Sequence, residues 1–171
     1  MLTSRKRPMV MQFVGYANSG KTTLIGELIS RLQHADPKLR IGVIKHEGGG
    51  HGIAIDQPDK DTWKYREKGA DFVAITSFSQ TAFIEQRPVS LGALVERMRE
   101  SGADYVFVEG FKQESYPKIV LLRDPRDREL IGQLSNVRAI VSWTPISVDG
   151  LPVFAIDDLD RLTAFLLDSQ S

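Results

Sequence analysis

Apolar and polar positions change period along the chain, and those changes mark its elements. Val10 to Val14 is an apolar, β-branched run that reads as a strand and stops at Gly15. After a turn rich in small and polar residues, Leu24, Ile25, Leu28, Ile29 and Leu32 recur at helical spacing. They predict a helix with one apolar face, ended near Asp36-Pro37 because proline cannot extend it. Ile41 to Ile44 reads as a second strand, leading into Lys45-His46-Glu47 and a Gly48-Gly49-Gly50 loop expected to be flexible. Asp61 to Lys68 predicts a short helix stopped by Gly69, followed by strands at Phe72 to Ile75 and Ala82 to Ile84. Leu91, Leu94, Val95 and Met98 line one face of a helix that ends at Ser101-Gly102. That helix feeds Tyr105 to Val108, a continuous apolar run expected in the middle of a sheet. Ile119 to Leu122, Ala139 to Val141 and Val153 to Ile156 add strands. A last helix from Asp157-Asp158 turns Leu159, Leu162, Phe165 and Leu166 inward. Strands alternating with helices predict an α/β fold, a mostly parallel sheet with helices on both faces.

Composition narrows the class. A chain of 171 residues favours one core, so residues 9–171 are expected to form a single domain behind a basic extension, 1–8, that carries Arg5, Lys6 and Arg7. The 22 basic and 22 acidic side chains cancel, which gives no general attraction to nucleic acid or to an anionic membrane. The apolar stretch Met9 to Val14 is too short for a signal peptide or a bilayer span. With no cysteine there is no disulfide framework and no thiolate metal site, and a cytoplasmic protein is the expectation.

The strongest chemical signal is Gly15-Tyr16-Ala17-Asn18-Ser19-Gly20-Lys21-Thr22, which fits G-x-x-x-x-G-K-[ST] between a predicted strand and a predicted helix. The glycines let backbone N–H groups curl around phosphate oxygens, and the helix N-terminus adds a favourable partial charge. Lys21 is expected to reach the β- and γ-phosphates, Thr22 to bind Mg²⁺, and Thr23 to contact the α-phosphate. This is the phosphate loop of a three-layer P-loop NTPase fold.

Such a loop needs an acidic group at the end of a neighbouring strand. Glu109, following Tyr105 to Val108 and preceding Gly110, stands at that position, either holding a Mg²⁺-bound water or facing solvent as a plain strand-end carboxylate. Asp56, Asp59 and Asp61 are further candidates. Asp61, just before Thr62, has two readings, helix capping and Mg²⁺ contact. His46, Glu47 and His51 do not fit H-E-x-x-H, so this segment reads as a loop contacting nucleotide or partner rather than a zinc site. Trp63 and Tyr65 read as packing or interface residues.

Beyond the phosphate loop, Lys45-His46, Asp56-Gln57-Pro58-Asp59-Lys60-Asp61-Thr62, Gly69-Ala70, Val108-Glu109-Gly110-Phe111-Lys112 and Lys118-Ile119-Val120-Leu121 occur in that order. Together these motifs resemble the molybdopterin-guanine dinucleotide biosynthesis adapter family, MobB, from about Met9 to the C-terminal helix. The resemblance implies a homodimeric GTP-binding protein with weak GTPase activity. It would assist the molybdenum cofactor guanylyltransferase that attaches GMP to molybdopterin, with molybdopterin itself a further candidate ligand. It also implies that Gly15, Tyr16, Asn18, Ser19, Gly20, Lys21, Thr22 and Thr23 hold the phosphates and that Lys45 and His46 lie near the nucleotide. Asp61 and Glu109 would organise Mg²⁺ with Thr22, Lys21 and Asp61 would serve hydrolysis, and Gly110-Phe111-Lys112 would shape the site wall.

The chain lacks N-K-x-D, so guanine preference follows from the resemblance and not from a base-reading motif. Tyr16 stands where some dimeric P-loop ATPases carry an additional lysine, which argues for slow hydrolysis. The loop from His46 to Asp56 also departs from the histidine-rich form associated with the family. Two alternatives to the adapter are a small-molecule kinase transferring the γ-phosphate to an acceptor hydroxyl and a binding module without turnover. Arg123, Arg126 and Arg128 would supply a kinase lid, but with Asp124 and Asp127 interleaved they read more simply as a solvated loop.

Overall fold

The computed structural model describes residues 7–48 and 56–169. His51 and part of the glycine loop lie outside the described residues. The expected domain at 9–171 contains two compact units, one made of the chain up to His46 and from Leu91 onward, the other spanning Glu47 to Ser90.

The first unit is built on β1 (Met9–Val14), β2 (Ile41–Lys45), β5 (Tyr105–Glu109), β6 (Lys118–Leu122), β7 (Val137–Ser142) and β8 (Val153–Ala155). They form a six-stranded sheet in the order β2-β5-β1-β6-β7-β8, with every neighbouring pair parallel. Met9 pairs with Tyr105 and Phe13 with Glu109, while Gln12 pairs with Lys118 on the other side of β1. β5 is buried along its whole length, as its uninterrupted apolar run predicts for a strand covered on both faces.

Alternation along the strands divides the core into two faces. Met11, Phe13, Tyr105, Phe107, Ile119 and Leu121 turn to one side and meet α1 (Lys21–Ala35) and α4 (Leu159–Asp168) through Leu24, Leu28, Leu32, Leu162 and Leu166. The Phe13 and Phe107 rings meet edge to face at 5.3 Å, a geometry that adds about 0.5–1.5 kcal/mol to their area burial. On the opposite side Ile44, Val106 and Val108 pack under α3 (Leu91–Glu100), while Val14, Val120, Leu122 and Ile140 pack with Leu130.

Leu130 belongs to an element absent from the sequence reading. Pro125–Gln133 is a 3-10 helix rather than a solvated loop. The Asp124 side chain accepts from the Arg126 backbone N–H, Asp127 returns a bond to the Asp124 N–H, and Pro occupies the first turn.

Two polar side chains lie buried on that same face. Lys118 is fully buried, and its Nζ donates to the carbonyls of Tyr116, at 3.1 Å, and Glu114. Burial pushes its ammonium below the ordinary lysine value. Gln12 Nε2 donates to the carbonyls of Phe111 at 2.9 Å and Gly110 at 3.2 Å. Both side chains therefore brace the segment that joins β5 to β6.

The second unit holds α2 (Asp61–Glu67) and an antiparallel hairpin of β3 (Phe72–Thr76) and β4 (Thr81–Glu85). Phe72, Ile75, Phe78 and Phe83 are exposed on this hairpin, as is Tyr65 on α2. Among the described residues no helix is long and apolar enough to cross a membrane.

Candidate phosphate-binding site

The turn between β1 and α1 has the shape that its sequence predicts. Asn18 and Gly20 adopt left-handed backbone angles, with φ of 59° and 96°, and reverse the chain in front of the helix. Gly15 is required for a different reason: a Cβ there would lie 2.8 Å from the Leu121 carbonyl oxygen. Gly20 precedes α1, so the backbone N–H groups of Lys21, Thr22 and Thr23 open the helix without intrahelical partners. That array suits an anion.

Lys21 folds over the loop. Its Nζ donates to the Tyr16 carbonyl at 2.8 Å, the Gly15 carbonyl at 3.2 Å and Ser19 Oγ at 3.4 Å. Partial burial lowers its proton affinity below the ordinary lysine value; Glu109 opposes this, while Lys112 and Lys45 reinforce it.

Glu109 resolves one of the two alternatives read from the sequence. It is 9% exposed, at the end of β5, and does not face solvent as a plain surface carboxylate. The Thr22 hydroxyl lies 3.0 Å from each of its oxygens and donates to the carboxylate, and Lys45 Nζ stands 3.8 Å away. A hydroxyl and a carboxylate brought together are hard oxygen donors of the kind Mg²⁺ accepts. Among the described residues no group of three or more His, Asp or Glu gathers to hold an ion. A Mg²⁺ at Thr22 and Glu109 would therefore be completed by phosphate oxygens and water, its usual coordination.

The remaining candidates divide between the two units. His46 follows Lys45 and donates its backbone N–H to the Glu109 carbonyl at 3.0 Å, with its ring 4.7 Å from that of Phe111. Gly110 follows Glu109 and donates to the Phe13 carbonyl at 3.2 Å, placing the β5 end beside β1. Lys112 Nζ lies 4.7 Å from the centre of the Tyr16 ring, whose hydroxyl donates to Glu129 at 3.3 Å. Burial and the adjacent Glu129 raise the Tyr16 phenol above its ordinary value. Asp61 lies in the second unit as the first residue of α2, where it pairs with Lys64 at 3.6 Å. It does not cap the helix: the preceding Lys60 occupies the cap position, and no side chain caps there. Asp56, in the same unit, accepts from Thr62 at 2.9 Å and from Arg66 at 3.3 Å.

Two residues of the site were not assigned to it from sequence. Arg123, expected in a solvated loop, donates from its guanidinium to the Asn18 carbonyl at 2.6 Å. Trp143 donates its indole N–H to the Ser19 carbonyl at 2.9 Å. Both stand immediately after parallel strands, β6 and β7, at the carboxyl ends where ligands gather in open α/β sheets. That position was the available signal.

Comparison with known proteins agrees with this fold. The family model described as "Molybdopterin guanine dinucleotide synthesis protein B" matches residues 10–143. The molybdopterin-guanine dinucleotide biosynthesis adapter protein of Escherichia coli (strain K12) is 33% identical over 166 residues, covering 93% of this chain and 91% of the relative. The corresponding adapter protein of Haemophilus influenzae is 35% identical over 144 residues, covering 82% of this chain and 78% of the relative. The crystal structure of Bacillus subtilis MobB aligns with a TM-score of 0.80 at 31% identity, covering 94% of this chain and 96% of that one. A MobB homologue from Bacillus stearothermophilus gives 0.74 at 29% identity, covering 94% and 97%. Phosphate loop, strand order and later motifs thus converge, and the chain belongs to the molybdopterin guanine dinucleotide synthesis protein B family.

Proposed function

We propose that this protein is a GTP-binding adapter of molybdopterin guanine dinucleotide biosynthesis, working beside the guanylyltransferase, with weak Mg²⁺-dependent hydrolysis. The observation that carries the reading is the loop itself: Lys21 lies over the loop before α1, and Thr22 and Glu109 stand beside it as a pair of hard oxygen donors. The relatives bear the adapter name, which supplies the process. When bound, Mg²⁺ would neutralise part of the phosphate charge. The protein groups do the rest: the helix N-terminus and Lys21 bind the anion, and Glu109 orients the Thr22 hydroxyl.

Slow turnover fits Tyr16, which brings no cation of its own to its place in the loop. A homodimer is part of the reading, and the apolar surface of the β3–β4 hairpin supports it, because such clusters in a small protein commonly mark interfaces. A cytoplasmic setting is consistent with the cysteine-free chain. The kinase alternative gains nothing from Arg123 and Arg126, since Arg123 is engaged with the loop carbonyl and Arg126 with Asp124.

The test is equilibrium binding of GTP and ATP, with and without Mg²⁺, to the wild type and to Lys21→Ala. The reading expects Mg²⁺-dependent GTP preference that Lys21→Ala abolishes, together with loss of support for cofactor guanylylation. Preference for ATP, or guanylylation supported normally by a variant that no longer binds GTP, would overturn it.

A further inference from the structure

Trp143 is 48% exposed although one end of its ring system is firmly held. Its indole N–H donates to the Ser19 carbonyl, and the ring lies so close to Gly20 that a Cβ there would be 3.3 Å from Cζ2. Arg123 supports it from the neighbouring strand end, 5.4 Å from the ring while also bonded to the Asn18 carbonyl. Core packing does not account for a half-exposed tryptophan fixed to the rim of a phosphate loop. A rigid aromatic surface with a cation beside it is what a flat heteroaromatic ligand recognises.

Sheet order gives the direction. β5, with Glu109, flanks β1 on one side, whereas β6 and β7, with Arg123 and Trp143, lie on the other. Terminal phosphates drawn toward the Thr22 and Glu109 side leave the nucleoside to run toward the β6 and β7 ends. We propose that Trp143, backed by Arg123, is the platform on which the purine base of a bound nucleoside triphosphate stacks. This rests on the nucleotide-binding reading above and adds to it the subsite for the base.

The experiment compares binding of GTP, ATP and inorganic tripolyphosphate, each with Mg²⁺, to the wild type, Trp143→Leu and Trp143→Phe by titration calorimetry, with thermal melting as the check on folding. The wild type should bind nucleotide more tightly than tripolyphosphate. Trp143→Leu should weaken nucleotide binding roughly 5- to 150-fold, the range of base–aromatic stacking, and leave tripolyphosphate unchanged. Trp143→Phe, which keeps a ring but has no indole N–H, should recover most of the nucleotide affinity. Equal weakening of tripolyphosphate and nucleotide would show that Trp143 only shapes the loop, and would overturn the platform. So would equal wild-type affinity for the two ligands, or a Trp143→Leu that binds both normally. Failure of the wild type to bind either ligand would remove the nucleotide-binding reading itself, and the platform with it.

Discussion

The Thr22 hydroxyl donates across 87 residues of sequence to Glu109, reaching both carboxylate oxygens at 3.0 Å. This bond joins the first turn of α1 to the end of β5. If the pair organises Mg²⁺, Glu109→Gln and Thr22→Val should each lose roughly 10- to 100-fold of the Mg²⁺ stimulation of nucleotide affinity. Metal-free binding should change much less. Titrating nucleotide at several Mg²⁺ concentrations checks this, and unchanged stimulation in both variants would remove the pair from metal binding.

Lys21 gives a pH dependence with a definite sign. In the free protein, partial burial holds its ammonium below the ordinary value of 10.5, with Lys112 and Lys45 acting in the same direction. Bound phosphate stabilises the charged form and raises that value, so ligand binding takes up a proton in the interval between the two. Affinity should therefore fall as pH rises through the depressed value, by at most about tenfold per pH unit. Calorimetry on the alkaline side, in buffers of different ionisation heat, should register proton uptake that Lys21→Ala abolishes.

Gly20→Ala should damage both stability and binding. A side chain there must adopt φ of 96° and also approach Trp143 to 3.3 Å. Left-handed strain alone costs on the order of 1–3 kcal/mol. Urea denaturation and nucleotide titration should both report the loss.

Phe107→Ala should destabilise the first unit by about 3–5 kcal/mol, because it removes a fully buried ring packed between those of Phe13 and Tyr105. The variant's denaturation midpoint measures it. A cost below about 1 kcal/mol would mean that the sheet closes over the cavity.

The hairpin carries the assembly question. Phe72 and Phe83 lie 6.0 Å apart and are exposed, and Phe78 between the strands is fully so. Phe83→Asp should turn a homodimer into a monomer in sedimentation equilibrium and leave the phosphate loop's affinity for tripolyphosphate unaltered. A dimer that persists in Phe83→Asp and also in Phe72→Asp would locate the interface elsewhere.

Legibility in the sequence followed the range of the interactions. The phosphate loop was readable because its motif is contiguous: Gly20 supplies a left-handed turn directly before Lys21, whereas the Leu121 carbonyl that Gly15 avoids is brought there only by the fold. Strands and the longer helices followed from period. The 3-10 helix Pro125–Gln133 escaped because it is polar and has little apolar period, although Asp124-Pro125 followed by Asp127 held a capping signal. Trp143 and Arg123 escaped because their partners, Ser19 and Asn18, are brought to them by strand order, which periodicity does not encode.

The strand order also sets when the phosphate loop takes shape during synthesis. Among the described residues, β1, which leads into the loop, has β5 and β6 as its neighbours in the sheet, and β2 pairs with β5. Until the ribosome has released residue 109 and the segment after it, both early strands wait without a sheet partner. Long waits of this kind slow folding and leave apolar edges open to other chains. A nascent protein truncated before Tyr105 should therefore depend on chaperones and show no affinity for phosphate, however complete its glycine-rich motif.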